Sequence, residues 1–135
     1  MSEVIVERPK VIAVDFDGTL CENRWPAIGS PNIELIMWLK DWVRSGNKLI
    51  LWTNRVDHSL EDAVIWCEMR GLKFDAVNEN LPEVIEQFGG DTRKIVADHY
   101  IDDKCTIVWG LNPDPKVLFS PKDREELTYL GRKMD

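Results

Sequence analysis

The stretch Val11-Ile12-Ala13-Val14-Asp15-Phe16-Asp17-Gly18-Thr19-Leu20 constrains the fold more than any other part of the chain. The apolar run Val11 to Val14 reads as a short buried strand. Asp15 and Asp17 come next, and Gly18 then lets the chain turn. In an extended strand, residues i and i+2 point to the same side, so the two carboxylates are expected to face one cleft. Two acids at the end of a buried strand are costly unless a metal or hydrogen bonds compensate them. An ordinary Asp-Gly turn closing a strand accounts for the same residues, so the choice depends on whether partners for the acids occur downstream.

Beyond this stretch, helix and strand signals alternate. Cys21 to Pro31, with Trp25-Pro26 and Gly29-Ser30-Pro31, reads as a loop or small flap. Ser30 before Pro31 is a helix start. It predicts a helix from Pro31 to Arg44 that buries Ile33, Ile36, Val43 and either Leu39 or Met37, and that ends at Gly46. Lys48 to Trp52 is a second strand, ending in Thr53-Asn54-Arg55. Ser59 is the expected cap of a second helix, with Asp62 completing an approximate capping box. Leu60, Ala63, Val64 and Cys67 stand at i, i+3, i+4 and i+7, an amphipathic stripe, and Gly71 closes that helix. Phe74 to Val77 is a third strand, and Asn78-Glu79-Asn80 succeeds it. A short helix covers Leu81, Val84, Ile85 and Phe88 and stops at Gly89-Gly90. Ile95 to Ala97 and Tyr100-Ile101 lead into Asp102-Asp103. Thr106 to Trp109 offers a further strand, and Ser120-Pro121 starts a last helix.

This alternation predicts an α/β fold, a three-layer Rossmann-like parallel sheet with helices on both faces. One domain is expected over residues 1–135, with its core at about 11–110 and a helical tail at about 120–133. Ligands of such sheets bind at the carboxyl ends of the strands. The polar groups fall at those ends: Asp15 and Asp17, then Thr53 and Asn54, then Asn78, then Asp102 and Asp103. A purely structural sheet gives no reason for this convergence.

Composition narrows the partners. A net charge of -7 argues against a nonspecific nucleic-acid or acidic-membrane binder. A phosphorylated substrate stays open, because a metal can supply the local positive charge. Cys21, Cys67 and Cys105 match neither a zinc pattern nor a disulfide framework, so reduced thiols and a cytoplasmic location are expected. No apolar run approaches a membrane span, and the first ten residues lack the apolar stretch of a secretory signal. Six tryptophans are many for 135 residues, and a surface that meets a partner accounts for some of them.

Asp15, Asp102 and Asp103 would form an oxygen-only site, which suits Mg²⁺ bridging to phosphate. A carboxylate beside such an ion can attack phosphorus and form an aspartyl phosphate. An acid two residues on, Asp17, is placed to protonate the leaving oxygen and later to deprotonate a water. Thr53 and Lys94 are the candidates to meet the charge on the phosphoryl group.

These residues resemble the haloacid dehalogenase-like (HAD) hydrolases. Asp15-Phe16-Asp17-Gly18-Thr19-Leu20 matches that family's first motif without a departure. Thr53, in Leu51-Trp52-Thr53-Asn54-Arg55, looks like the second motif, Lys94 like the third, and Asp102-Asp103 like the fourth. The resemblance spans about residues 11–109. It implies that Asp15 is nucleophile and metal ligand, and that Asp17 is the acid/base, with its backbone carbonyl also on Mg²⁺. It implies that Thr53 binds a phosphoryl oxygen, that Lys94 orients Asp15 and neutralises the phosphate, and that Asp102 binds the metal directly and Asp103 either directly or through water. Asn54, Arg55 and Asn78 are candidate substrate contacts. Neither the interval from Asp17 to Thr53 nor that from Thr53 to Asp102 has room for an inserted cap domain, so a capless member is implied. Its open site would take a phosphorylated small molecule or macromolecule, or be closed by a second subunit of a homo-oligomer. The expected activity is a Mg²⁺-dependent phosphatase. The alternatives are a receiver-like phospho-aspartate signalling domain, in which the acids come in a different order, and a catalytically idle binding module.

Overall fold

The computed structural model describes residues 8–104. The elements, in chain order, are β1 (Val11–Val14), β2 (Cys21–Arg24), β3 (Ala27–Pro31), α1 (Ile33–Arg44), β4 (Lys48–Leu51), α2 (Asp57–Glu68), β5 (Ala76–Val77), α3 (Pro82–Phe88) and β6 (His99–Ile101). The expected strand at Thr106 to Trp109, the last helix from Ser120 and the third cysteine, Cys105, lie outside the described residues.

Four strands form an open parallel sheet in the order β5-β4-β1-β6. The central strands β1 and β4 are short apolar runs, buried apart from Lys48, whereas β6, His99-Tyr100-Ile101, is half-buried up to Ile101. Side chains alternate across the sheet as extended backbone requires. Ile12, Val14, Leu49 and Leu51 enter one core cluster with Leu35, Ile36 and Leu39 of α1 and Ala63 and Cys67 of α2. Val11, Ala13 and Ile50 enter a second, with Leu81, Ile95 and the partly buried Val84 of α3.

The register decides where the polar residues fall. Val14 pairs with Leu51 and with Ile101, and Leu51 pairs with Val77. The ladder continues one step further. Asp15 N–H donates to Ile101 O at 2.9 Å, Trp52 N–H to Val14 O at 2.9 Å, and Asn78 N–H to Leu51 O at 2.7 Å. Asp15, Trp52, Asn78 and Asp102 therefore form one row at the carboxyl edge, each the first residue beyond its strand.

The flap between Cys21 and Pro31 is an antiparallel hairpin, β2 with β3, turning at a cis Trp25-Pro26 bond. Gly29 is required there: a Cβ on it would lie 2.3 Å from Glu22 O across the hairpin. The hairpin moves the start of α1. Ser30 and Pro31 are strand residues, with Pro31 opposite Cys21. The cap is instead Asn32, whose side chain accepts from Leu35 N–H. Ile33, expected inside, is 62% exposed, and Leu35 takes its place in the core; of the alternatives Leu39 and Met37, Leu39 is buried and Met37 is 61% exposed. α2 starts at Asp57, two residues before the expected cap. Ser59 still serves its first turn, accepting from Val56 N–H and donating to Val56 O. The expected stripe of α2 is observed: Ala63 and Cys67 are buried, with Leu60 and Val64 packed against the same cluster. Cys21 and Cys67 are buried free thiols, pushed up to about 11 and about 12 by burial. No helix among the described residues is long and apolar enough to cross a membrane.

Candidate metal centre

Asp15, Asp102 and Asp103 each present a carboxylate oxygen within 4.8 Å of the others, close enough for one cation to bind all three. Their convergence arises from the register. β1 and β6 are neighbours, and the acids directly succeed both strands. Asp102 is held by Lys104 N–H, which donates to its Oδ1 at 2.9 Å. Asp15 Oδ2 accepts from Thr19 Oγ1 at 3.2 Å, and Thr19 itself is buried. Gly18 adopts a φ of +84°, and a Cβ there would lie 2.5 Å from Asp103 Oδ2. The glycine of the turn thus leaves room for the acid of a distant strand, a second reason for it besides the turn conformation.

The cluster is electrostatically loaded. Burial raises the Asp15 carboxyl from its ordinary 3.8 to about 7, and the nearby Asp102 and Asp103 add to the rise. The Phe16 N–H and the Thr19 hydroxyl oppose it without cancelling it. Three half-buried acids face one another, and the donor set a cation would meet there is carboxylate oxygen throughout, with neither His nor Cys.

Asp17 does not join this cluster. The expectation that it shares a strand face with Asp15 fails because β1 stops at Val14. From Phe16 the chain turns, with Thr19 N–H and Leu20 N–H both donating to Phe16 O. The i, i+2 rule no longer applies there. Asp17 instead faces Arg55 in a bidentate pair. Nε donates to Oδ2 and Nη2 to Oδ1, each at 2.8 Å. The Arg55 side chain is 1% exposed. Nη2 also donates to Ala27 O, and Nη1 to Pro26 O and Ser59 O. A guanidinium has five N–H donors, and all five are directed at protein acceptors. Removing one partner from such a pair costs about 3–5 kcal/mol, because a buried charge is left alone. Arg55 is therefore built into the site rather than presented to a ligand, contrary to its expected place as a substrate contact.

The other expected residues sit at the same edge in different ways. Thr53 comes directly after Trp52, its N–H donating to Asn78 Oδ1 at 2.8 Å and its Oγ1 accepting from Arg55 N–H at 3.1 Å. Asn78, at a φ of +52°, braces the β4 loop through that oxygen. Asn54 is exposed. The Lys94 side chain is exposed and, among the described residues, makes no ion pair with Asp15. Its backbone is anchored by Asn80, 1% exposed, whose Nδ2 donates to Lys94 O, Thr92 O and Asp91 Oδ1, while Val96 N–H donates to its Oδ1.

Three contributors escape the sequence reading: Arg55 as Asp17's partner, Asn80 as the clamp on 91–96, and Thr19 on Asp15. Arg55 and Asn80 carry a weak signal, since each lies a few residues beyond a strand and is polar without any helix or turn role.

No family model matches the chain, and no curated protein matches it. Among solved structures it is similar to a conserved protein from Bacteroides thetaiotaomicron, at 34% identity over 91% of this chain and 93% of the other, with a TM-score of 0.65. At that identity and coverage, the chain belongs to the same family as the Bacteroides protein.

Proposed function

We propose that the chain is a Mg²⁺-dependent phosphohydrolase of the HAD type, with a capless three-layer core, acting through an aspartyl phosphate. The observation that carries this reading is the convergence of Asp15, Asp102 and Asp103 at the carboxyl edge. An all-oxygen, tri-acidic set of this size suits Mg²⁺, which keeps open positions for water and phosphate. Mg²⁺, when bound, would supply the positive charge that lets a carboxylate approach an anionic phosphoryl group.

In this reading the Asp15 carboxylate attacks phosphorus. The bond to the leaving oxygen breaks, and that oxygen takes a proton. Water then attacks the aspartyl phosphate, breaking the new P–O bond, releasing phosphate and restoring Asp15. The Thr53 hydroxyl, whose oxygen accepts from Arg55 N–H and whose hydrogen is left to donate, meets a phosphoryl oxygen, and Lys94 reaches in from the segment clamped by Asn80. The proton on the leaving oxygen comes from Asp17 in its carboxylic-acid form, one oxygen of which must then leave the Arg55 fork, and the resulting carboxylate takes the proton of the attacking water. Two tryptophans at the edge, Trp25 at 57% exposure and Trp52 at 42%, leave apolar surface beside the site for a phosphorylated substrate.

Phosphate release from an aryl phosphate, with Mg²⁺ and with a chelator, tests the reading. Turnover should require the metal and fall by at least about 10³-fold in Asp15→Asn, as loss of a nucleophile does. Equal turnover by wild type and Asp15→Asn would overturn the assignment. A stable phosphoryl group on Asp15 without turnover would point to the receiver-like class instead.

A further inference from the structure

We propose that Arg55 is a positioning residue that joins Asp17 and the flap hairpin into one unit, so that the seating of the flap sets the placement of Asp17. This rests on the phosphohydrolase reading for its kinetic consequence, and on geometry alone for the coupling.

Arg55 lies four residues beyond β4 and is more deeply buried than any other described charged side chain. Two of its N–H groups go to the two oxygens of Asp17. Two more go to Pro26 O and Ala27 O, at the turn of the hairpin, and one goes to Ser59 O in the first turn of α2. The flat faces are used as well. Phe16, between the two motif acids, lies 5.0 Å from the guanidinium carbon, and Trp25 of the hairpin lies 4.9 Å from it. One rigid planar group thus touches the motif loop, the flap and α2 at once.

A guanidinium holds its donors in one plane. Lifting Pro26 and Ala27 from Nη1 and Nη2 therefore disturbs the fork that holds Asp17. The reverse holds too: loss of the Asp17 carboxylate removes the anchor that aims the guanidinium at the flap. Lysine keeps the charge but has no fork, and cannot hold Asp17 and both flap carbonyls together. A substrate that seats against Trp25 acts on Asp17 through the same group.

The experiment has a structural arm and a kinetic arm. Hydrogen exchange of the amides of residues 22–30 is measured in wild type, Asp17→Asn and Arg55→Lys, with α1 amides as the internal reference. Both variants should speed exchange in the hairpin by about tenfold or more while α1 stays protected, as expected for local opening rather than global unfolding. Unchanged hairpin exchange in Asp17→Asn overturns the coupling. In the kinetic arm, Arg55→Lys and Trp25→Ala are compared on an alkyl phosphate and on nitrophenyl phosphate. Because the alkyl leaving group needs a proton and nitrophenolate does not, a defect acting through Asp17 should lower kcat on the alkyl ester by about 10²-fold and on the aryl ester by only a few-fold, with KM little changed in Arg55→Lys and raised on both esters in Trp25→Ala, which also loses surface the substrate seats against. A uniform loss on both esters would mark a merely structural role. Trp25 is 57% exposed, so its replacement removes one face contact on Arg55 and leaves the Asp17–Arg55 hydrogen bonds in place. If wild type releases no phosphate from either ester, the phosphohydrolase reading falls, and the exchange arm still decides the tether.

Discussion

Each acid of the site is defined by its neighbours. For Asp103 the neighbour is Gly18, whose missing side chain gives the carboxylate its place. Gly18→Ala should weaken Mg²⁺ binding at least about tenfold by calorimetry, in line with the effect of disturbing groups that orient metal ligands. It should also cost about 1 kcal/mol of stability, because alanine disfavours a φ of +84°. For Asp15 the neighbours are two like charges and a half-buried setting. Its folded-state value of about 7 lies above the ordinary 3.8. Between those values the folded, metal-free chain holds this proton more tightly than the unfolded chain, so stability falls as pH rises through that window. After allowance for solvent screening at this edge, the loss is on the order of 1–2 kcal/mol. In chelator, Asp15→Asn should therefore be more stable than wild type at pH 8 and no more stable at pH 4, as read by thermal melts. A lower melting temperature for Asp15→Asn at pH 8 would refute the electrostatic account of the cluster.

Among the elements, the strands of the parallel sheet and the buried face of α2 are legible in the sequence because short apolar runs and a clean i, i+3, i+4, i+7 stripe have few other solutions, whereas β2 and β3, which lack such runs, read as a loop or flap. The start of α1 is not. Ser30-Pro31 is a good local helix start, yet long-range pairing of Pro31 with Cys21 makes it the end of β3. Asn32 then caps the helix, and the buried face shifts to Leu35, Ile36 and Leu39. The acids of the candidate site are equally legible, because strand ends in a parallel sheet share one edge. The direction of Asp17 is not, since it depends on where β1 stops and on a buried Arg from another loop. Asn80 leaves only a weak signal for the same reason: its partners lie more than ten residues away. That clamp can be tested. Asn80→Ala removes the amide's contacts from a buried position and leaves Val96 N–H without its acceptor. It should cost about 2–3 kcal/mol by denaturant unfolding. Amides 91–96 should lose protection first, and turnover should fall with Lys94's placement. Unchanged exchange in that segment would show that Asn80 does not hold it.

At the scale of the whole molecule, the acids at the two edges of the sheet differ in their partners: Asp75 and Asp98 at the amino edge accept from Leu49 N–H and Val11 N–H, whereas Asp15, Asp102 and Asp103 at the carboxyl edge face one another. In a chain with a net charge of -7, three acids within 4.8 Å of one another oppose folding electrostatically, and a cation bound among them would relieve that opposition. Folding and metal binding should therefore be linked. A ligand that binds only the folded state stabilises it by RT ln(1 + [L]/Kd), about 2.7 kcal/mol at a hundred times Kd. For a domain of this size that corresponds to a rise in melting temperature of about 10 °C. Mg²⁺ should produce such a rise in wild type, a chelator should reverse it, and Na⁺ at matched ionic strength should not reproduce it, because general screening acts on the whole surface rather than on one cluster. Asp102→Asn should abolish most of the shift while itself raising the metal-free melting temperature, since it removes one of the mutually repelling charges that raise Asp15. The two signs together separate a metal site from a structural acid. A purely structural Asp102, held by Lys104 N–H, would lower the metal-free melting temperature when replaced, and the Mg²⁺ shift would survive.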